Sequence, residues 1–167
     1  MISYQVDECL DSKELVRACA KEGLVNVRRY PRRLKEYEDP DVLQSVLPSE
    51  WALLTTDREI HFEHSEFIPD EHSGILIIAT CQSPKTLRIK DVFSILGNFK
   101  AAFPDWHAVS PRNSVIEITE QSAEVWRVAS GAAERIGFFE FSATGWQDGM
   151  RRLLEQNASR RRQIEDN

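Results

Sequence analysis

Ile75-Leu76-Ile77-Ile78-Ala79 is apolar at every position and follows Gly74. A strand with one wet face alternates polar and apolar residues. An unbroken run of this kind fits a strand buried on both faces, as in a parallel sheet covered by helices. Working back from it, Trp51 to Thr56 reads as another strand and ends at Asp57. Leu24 to Val27 reads as one more, and Ile2 to Val6 as the first, ending in Asp7-Glu8. Between the first two strands, Leu15, Val16, Cys19 and Ala20 recur at helical spacing. Asp11-Ser12 stands at the start of that helix and Gly23 at its C-cap. Asp39-Pro40-Asp41 opens a second helix, with Asp39 expected at the N-cap and Pro40 at the first helical position. The intervening run Arg28-Arg29-Tyr30-Pro31-Arg32-Arg33-Leu34-Lys35 is rich in cations, and Pro31 interrupts it, so it reads as a loop.

On the other side of the run, residues 86–103 carry a buried amphipathic helix. Val115 to Thr119 and Val125 to Ala129 form a hairpin around a polar turn, and Ile136 to Phe141 is a further short strand. From Trp146 onward the pattern is helical and increasingly charged. Alternation of strands and helices predicts an α/β fold: a mainly parallel central sheet with helices on both faces, plus a C-terminal hairpin and helix extension. Residues 1–130 are expected to form the main domain. Residues 131–167 are expected to form an extension that packs on it as a helical tail. The segment 58–73 reads as polar and irregular.

The composition places few limits on function. A length of 167 residues suffices for one domain with a real core. No apolar run reaches the ~18 residues of a membrane span, and the first residues lack the layout of a signal peptide. A cytoplasmic protein is therefore expected. Cys9, Cys19 and Cys81 are odd in number, match no zinc spacing and fit free, buried thiols. The formal net charge of −6 argues against a broad nucleic-acid surface, though not against a local basic patch near an acidic site.

In parallel sheets the working site lies beyond the C-terminal ends of the strands. Asp7 and Asp57 both end strands, and Asp39 opens a helix, so the three can converge on one edge. Clustered carboxylates call for a hard cation, and an oxygen-only donor set suits Mg²⁺ or Mn²⁺. Glu8 and Glu59 stand beside the set as further ligands or supporting acids. Each acid also fits a plainer role. Asp39 and Asp41 suit a helix start, and Asp7 and Asp57 suit turns. Arg28, Arg29, Arg32, Arg33, Lys35 and Arg58 are the candidate phosphate contacts; a solvated loop, or one that docks an acidic partner, fits the first five equally. His61 and His64, flanked by Glu63 and Glu66, read as surface histidines. The four tryptophans read as core.

The segments Val6-Asp7-Glu8-Cys9-Leu10, Glu38-Asp39-Pro40-Asp41-Val42-Leu43, Leu54-Thr55-Thr56-Asp57-Arg58-Glu59 and Ser73-Gly74-Ile75-Leu76-Ile77 resemble, in order, the successive motifs of the small PIN-like proteins. The resemblance covers about residues 1–80. It implies a PIN-like fold and metal-dependent endonucleolytic cleavage, usually of RNA, with Asp7, Asp39 and Asp57 as metal-binding acids. It also implies a toxin–antitoxin context, with an antitoxin protein as partner, and homodimers as a common state. Glu59 stands where the second acid of the third motif is expected to be Asp, and Ile60 where the family has Phe. An inactive PIN-like binding module is the alternative, with Phe138, Phe139, Phe141 and Trp146 as its contact surface. A phospho-acceptor domain is a third reading, weakened by the lack of a suitably placed lysine.

Overall fold

A computed structural model describes residues 2–23, 26–34, 37–79 and 89–160. Strand β1, Ser3–Val6, leads through a single 3₁₀ turn at Glu8–Leu10 into helix α1, Lys13–Glu22. The Ser12 hydroxyl accepts the N–H groups of Glu14 and Leu15, and Gly23, in the left-handed conformation at φ 60°, ends the helix. Strand β2 covers Asn26–Arg28; of the strand expected over 24–27, residues 24 and 25 lie outside the described residues. The following basic stretch is not a plain loop. Arg32–Leu34 form a 3₁₀ turn, and Tyr30 and Leu34 are buried, so two inward side chains pin it. Lys35 lies outside the described residues.

Helix α2 is Asp39–Val46. Glu38, not Asp39, occupies its N-cap and makes no side-chain cap bond. The helix starts one residue earlier than expected, so Asp39 is its first helical residue and not its cap, and its carboxylate lies 3.5 Å from the His64 imidazole. Strand β3 is Trp51–Thr55. The stretch after it is more regular than expected: α3, Ile60–Glu63, and a turn at Ser65–Phe67 form because Ile60 and Ile68 bury their side chains. Strand β4, Ile75–Ile78, is fully buried along its length. Helix α4 is Ile89–Ala102; the start of the helix expected over 86–103 falls outside the described residues. Strands β5, Val115–Ile118, β6, Ser122–Ala129, and β7, Ala132–Glu140, precede helix α5, Trp146–Ala158.

The seven strands form one sheet in the order β2-β1-β3-β4-β5-β6-β7. The pairs from β2 through β5 are parallel, and β6 and β7 add antiparallel. The fold is thus α/β with a mostly parallel sheet. Successive strands step in one direction from β3 onward, while β2 lies on the other side of β1. This reversal makes a topological switch between β1 and β3. Val6 sits level with Leu54 in the register, so the residues that follow each strand leave the sheet side by side.

No helix among the described residues is long and apolar enough to cross a membrane.

Candidate functional site

Asp7 and Thr55 meet at the switch. The Asp7 N–H donates to the Leu54 carbonyl at 2.8 Å, which carries the β1–β3 ladder one residue further. The Asp7 carboxylate is bound on both oxygens. Its Oδ2 accepts the Thr55 hydroxyl at 2.9 Å and the Cys9 thiol at 3.4 Å, and its Oδ1 accepts the Glu8 N–H at 2.6 Å. The Thr55 hydroxyl, buried completely, also accepts the Asp57 N–H at 3.1 Å. One hydroxyl therefore ties the first acid to the backbone of the second. The Asp57 carboxylate accepts the Glu59 N–H at 2.9 Å, which fixes the turn out of β3.

Burial holds the Asp7 carboxyl above the usual carboxylate range. The bonds from Thr55, Glu8 and Cys9 pull it back, and the charge of Asp39 pushes it up again. Asp39 is thus close enough for its charge to act on Asp7. The Tyr30 phenol, pushed up to about 12 mainly by burial, feels Asp7, Glu8 and Asp39 together. At this acidic edge the charges of Asp7, Glu8 and Asp39 all reach the buried Tyr30. Asp57 joins it through Thr55, and its charge acts on His61. Among the described residues, no three His, Cys, Asp or Glu side chains stand close enough together to hold a metal ion. Glu8 and Glu59 are exposed and lend their N–H groups to Asp7 and Asp57.

The candidate cations divide into three kinds. Arg58 is committed to Glu117, with its Nε 2.7 Å from Oε1. Arg29 forks onto Asp11, with both bonds at 2.8 Å. Arg28 lies 3.8 Å above the Trp51 ring and donates to the buried Gln5 at 2.5 Å. Arg32 and Arg33 are exposed, and neither has an ion pair among the described residues.

Three features escaped the sequence. Cys9 was expected to be buried, yet the residue is exposed, and its thiol rests between Asp7 and the Thr56 hydroxyl at 3.3 Å. Burial of the sulfur, then the Asp7 charge, pushes the thiol up to about 11, so it stays protonated and is a poor nucleophile. His61 is not a surface residue. It is fully buried, with its ring 4.0 Å from Phe62 and 5.0 Å from Trp126, because the short α3 turns it under the sheet hairpin. Thr55 and Thr56 were read only as the end of a strand. The motif Thr-Thr-Asp carried the signal, but the partner of each hydroxyl depends on register.

No protein-family model, curated protein or solved structure matches this chain.

Proposed function

We propose that this chain is a PIN-like, metal-dependent endoribonuclease, with its site at the β1/β3 switch. The observation that carries the reading is Asp7. A partly desolvated carboxylate, held by three donors beside a second acid, is an arrangement that a bound cation stabilises. The donor set is all oxygen and fits Mg²⁺ or Mn²⁺. Mg²⁺ commonly takes only one or two protein carboxylates and keeps water and substrate phosphate for the rest. Asp7 and Asp39 would hold the ion, with Asp57, Glu8 and Glu59 in support. The ion would supply Lewis-acid charge and a water of lowered pKa. The chain itself orients Asp7 through Thr55 and fixes the Asp57 turn. Its exposed arginines attract the phosphate backbone. A toxin role with a protein antitoxin, and a homodimer, belong to the same proposal.

Calorimetry with Mn²⁺ on wild type, Asp7→Asn and Asp57→Asn tests it. Binding to wild type and its loss in Asp7→Asn, in a variant that still unfolds cooperatively, is the expected result, with RNA cleavage lost alongside. Wild type that binds no Mn²⁺ would move the function to partner recognition. That second reading is favoured by Phe62 and Phe138, two large apolar side chains left about half exposed. Among the described residues the phospho-acceptor reading lacks its cation: Arg58 is taken up by Glu117, and Thr119 and Glu120 follow β5.

A further inference from the structure

Asp11 lies outside every set of site residues considered so far, and its bonds point away from the helix it precedes. Ser12 supplies the cap of α1. The Asp11 carboxylate instead accepts Arg29 Nε and Nη2, each at 2.8 Å, and the Tyr30 N–H at 3.1 Å. Its side chain is only 6% exposed. The guanidinium is 40% exposed, but a bidentate fork onto a carboxylate this buried has more defined geometry than a single exposed contact. It joins the chain just after β1 to the chain just after β2. Two further anchors hold the same turn. Gln5 Nε2 donates to the Arg29 carbonyl at 2.7 Å, and the Tyr30 hydroxyl donates to the Leu34 carbonyl at 2.8 Å. Arg32 and Arg33 ride on that 3₁₀ turn, exposed, two and three residues after Tyr30, whose phenol feels the charges of Asp7, Glu8 and Asp39.

A site built from carboxylates repels a polyanion. Phosphate must be drawn in by cations held close by, on a turn that cannot swing away. We propose that Asp11 is the positioning residue that docks the basic turn 29–34 against the acidic edge, so that Arg32 and Arg33 meet the backbone phosphates of single-stranded RNA. Arg29 serves as the tether and not as a substrate contact. This rests on the nuclease reading above.

The test is fluorescence anisotropy with a short oligouridylate, without divalent metal and across a salt series. Asp11→Ala removes a negative charge, so an effect of charge alone would tighten RNA binding. Positioning predicts the opposite sign: binding about tenfold weaker, with a salt slope shallower by about one to two phosphate contacts. Arg32→Ala/Arg33→Ala should weaken binding as well, and adding Asp11→Ala to it should have little further effect. Arg29→Lys keeps the charge and loses the fork; it should reproduce the weakening and serves if Asp11→Ala does not fold. Wild type that binds while Asp11→Ala or Arg29→Lys binds as tightly or more tightly would overturn the positioning role alone. Wild type that binds no RNA at low salt would overturn the RNA reading and this inference with it.

Discussion

A buried histidine with no hydrogen-bond partner stays neutral and makes the fold sensitive to acid. Neither ring nitrogen of His61 has a partner among the described residues, and burial lowers it to about 4. His72 is lowered to about 4 likewise, by burial first and then by Arg112; its Nδ1 accepts the Gly74 N–H. In the unfolded chain each titrates near its ordinary value of about 6.5. Between these values the unfolded state binds more protons, so stability is complete above pH ~6.5 and falls as pH drops toward ~4. Each histidine should contribute a loss of roughly 2 kcal/mol near pH 5. Urea unfolding of His61→Leu at several pH values should show a flatter acid limb, and greater stability near pH 5 than wild type; an unchanged limb would mean that His61 is solvated in the native state. This residue was hidden in the sequence because Glu59 and Glu63 flank it and a helix as short as α3 shows no period. The strand-end acids were legible, since a polar residue closing an apolar strand needs no tertiary information. The Thr55 and Cys9 bonds to Asp7 were not, because they exist only once β1 and β3 lie in register.

At the scale of elements, the C-terminal helix is tied to the sheet by polar contacts as well as by packing. Asn113 Oδ1 accepts the His72 N–H at 2.9 Å, and its Nδ2 donates to the Asn157 carbonyl at 3.0 Å. Asn157 Nδ2 in turn donates to the Ser114 hydroxyl at 3.0 Å. All four residues are buried, and Asn113 adopts φ 59°, a left-handed conformation that asparagine tolerates better than most residues. Asn113→Ala should therefore cost about 2–4 kcal/mol, from the lost side-chain bonds, a long one to the Arg160 carbonyl at 3.5 Å included, and the strained φ. Asn113→Gly removes the strain but not the lost bonds and should be less damaging by roughly 1 kcal/mol. Equal midpoints for the two variants in urea would show that backbone strain plays no part. The neighbouring hairpin follows a simpler rule. Ala129 faces Ala132 across Ser130-Gly131, both at positive φ, which suits the twist of a two-residue turn. The turn at Ser130-Gly131 was not foreseen, and β7 was expected only as a shorter strand over 136–141. Its exposed and half-buried residues follow no strict alternation, because β7 carries an extra residue, Ile136, between the partners of Val125 and Trp126, which breaks the two-residue period.

For the whole molecule, the question is whether residues beyond 130 are an appendage or part of the fold. The fully apolar run 75–79 made the parallel layer legible. The strand order did not follow from it, since neighbours in a parallel sheet are set by crossovers that local patterns do not encode. That order brings β6 and β7 onto the β5 edge of the sheet, in one continuous ladder. Trp146, Met150 and Leu154 of α5 are buried, and Trp146 packs tilted on Phe141 and edge-to-face with Phe103, at centroid distances of 4.8 and 5.5 Å. Phe141 reaches Phe99 of α4 at 5.8 Å. Ending the chain after Ser130 would strip one side of β6 and uncover this cluster. Burial of the three α5 side chains alone is worth roughly 5–9 kcal/mol at about 1.5–3 kcal/mol each, close to the whole stability of a typical domain. A chain of residues 1–130 should therefore lack a cooperative thermal transition, whereas the full chain unfolds in one step. Circular dichroism on the two chains decides it. A cooperative transition in the short chain would mean that residues 1–130 carry a sufficient core and that β7 and α5 were added to a fold already complete.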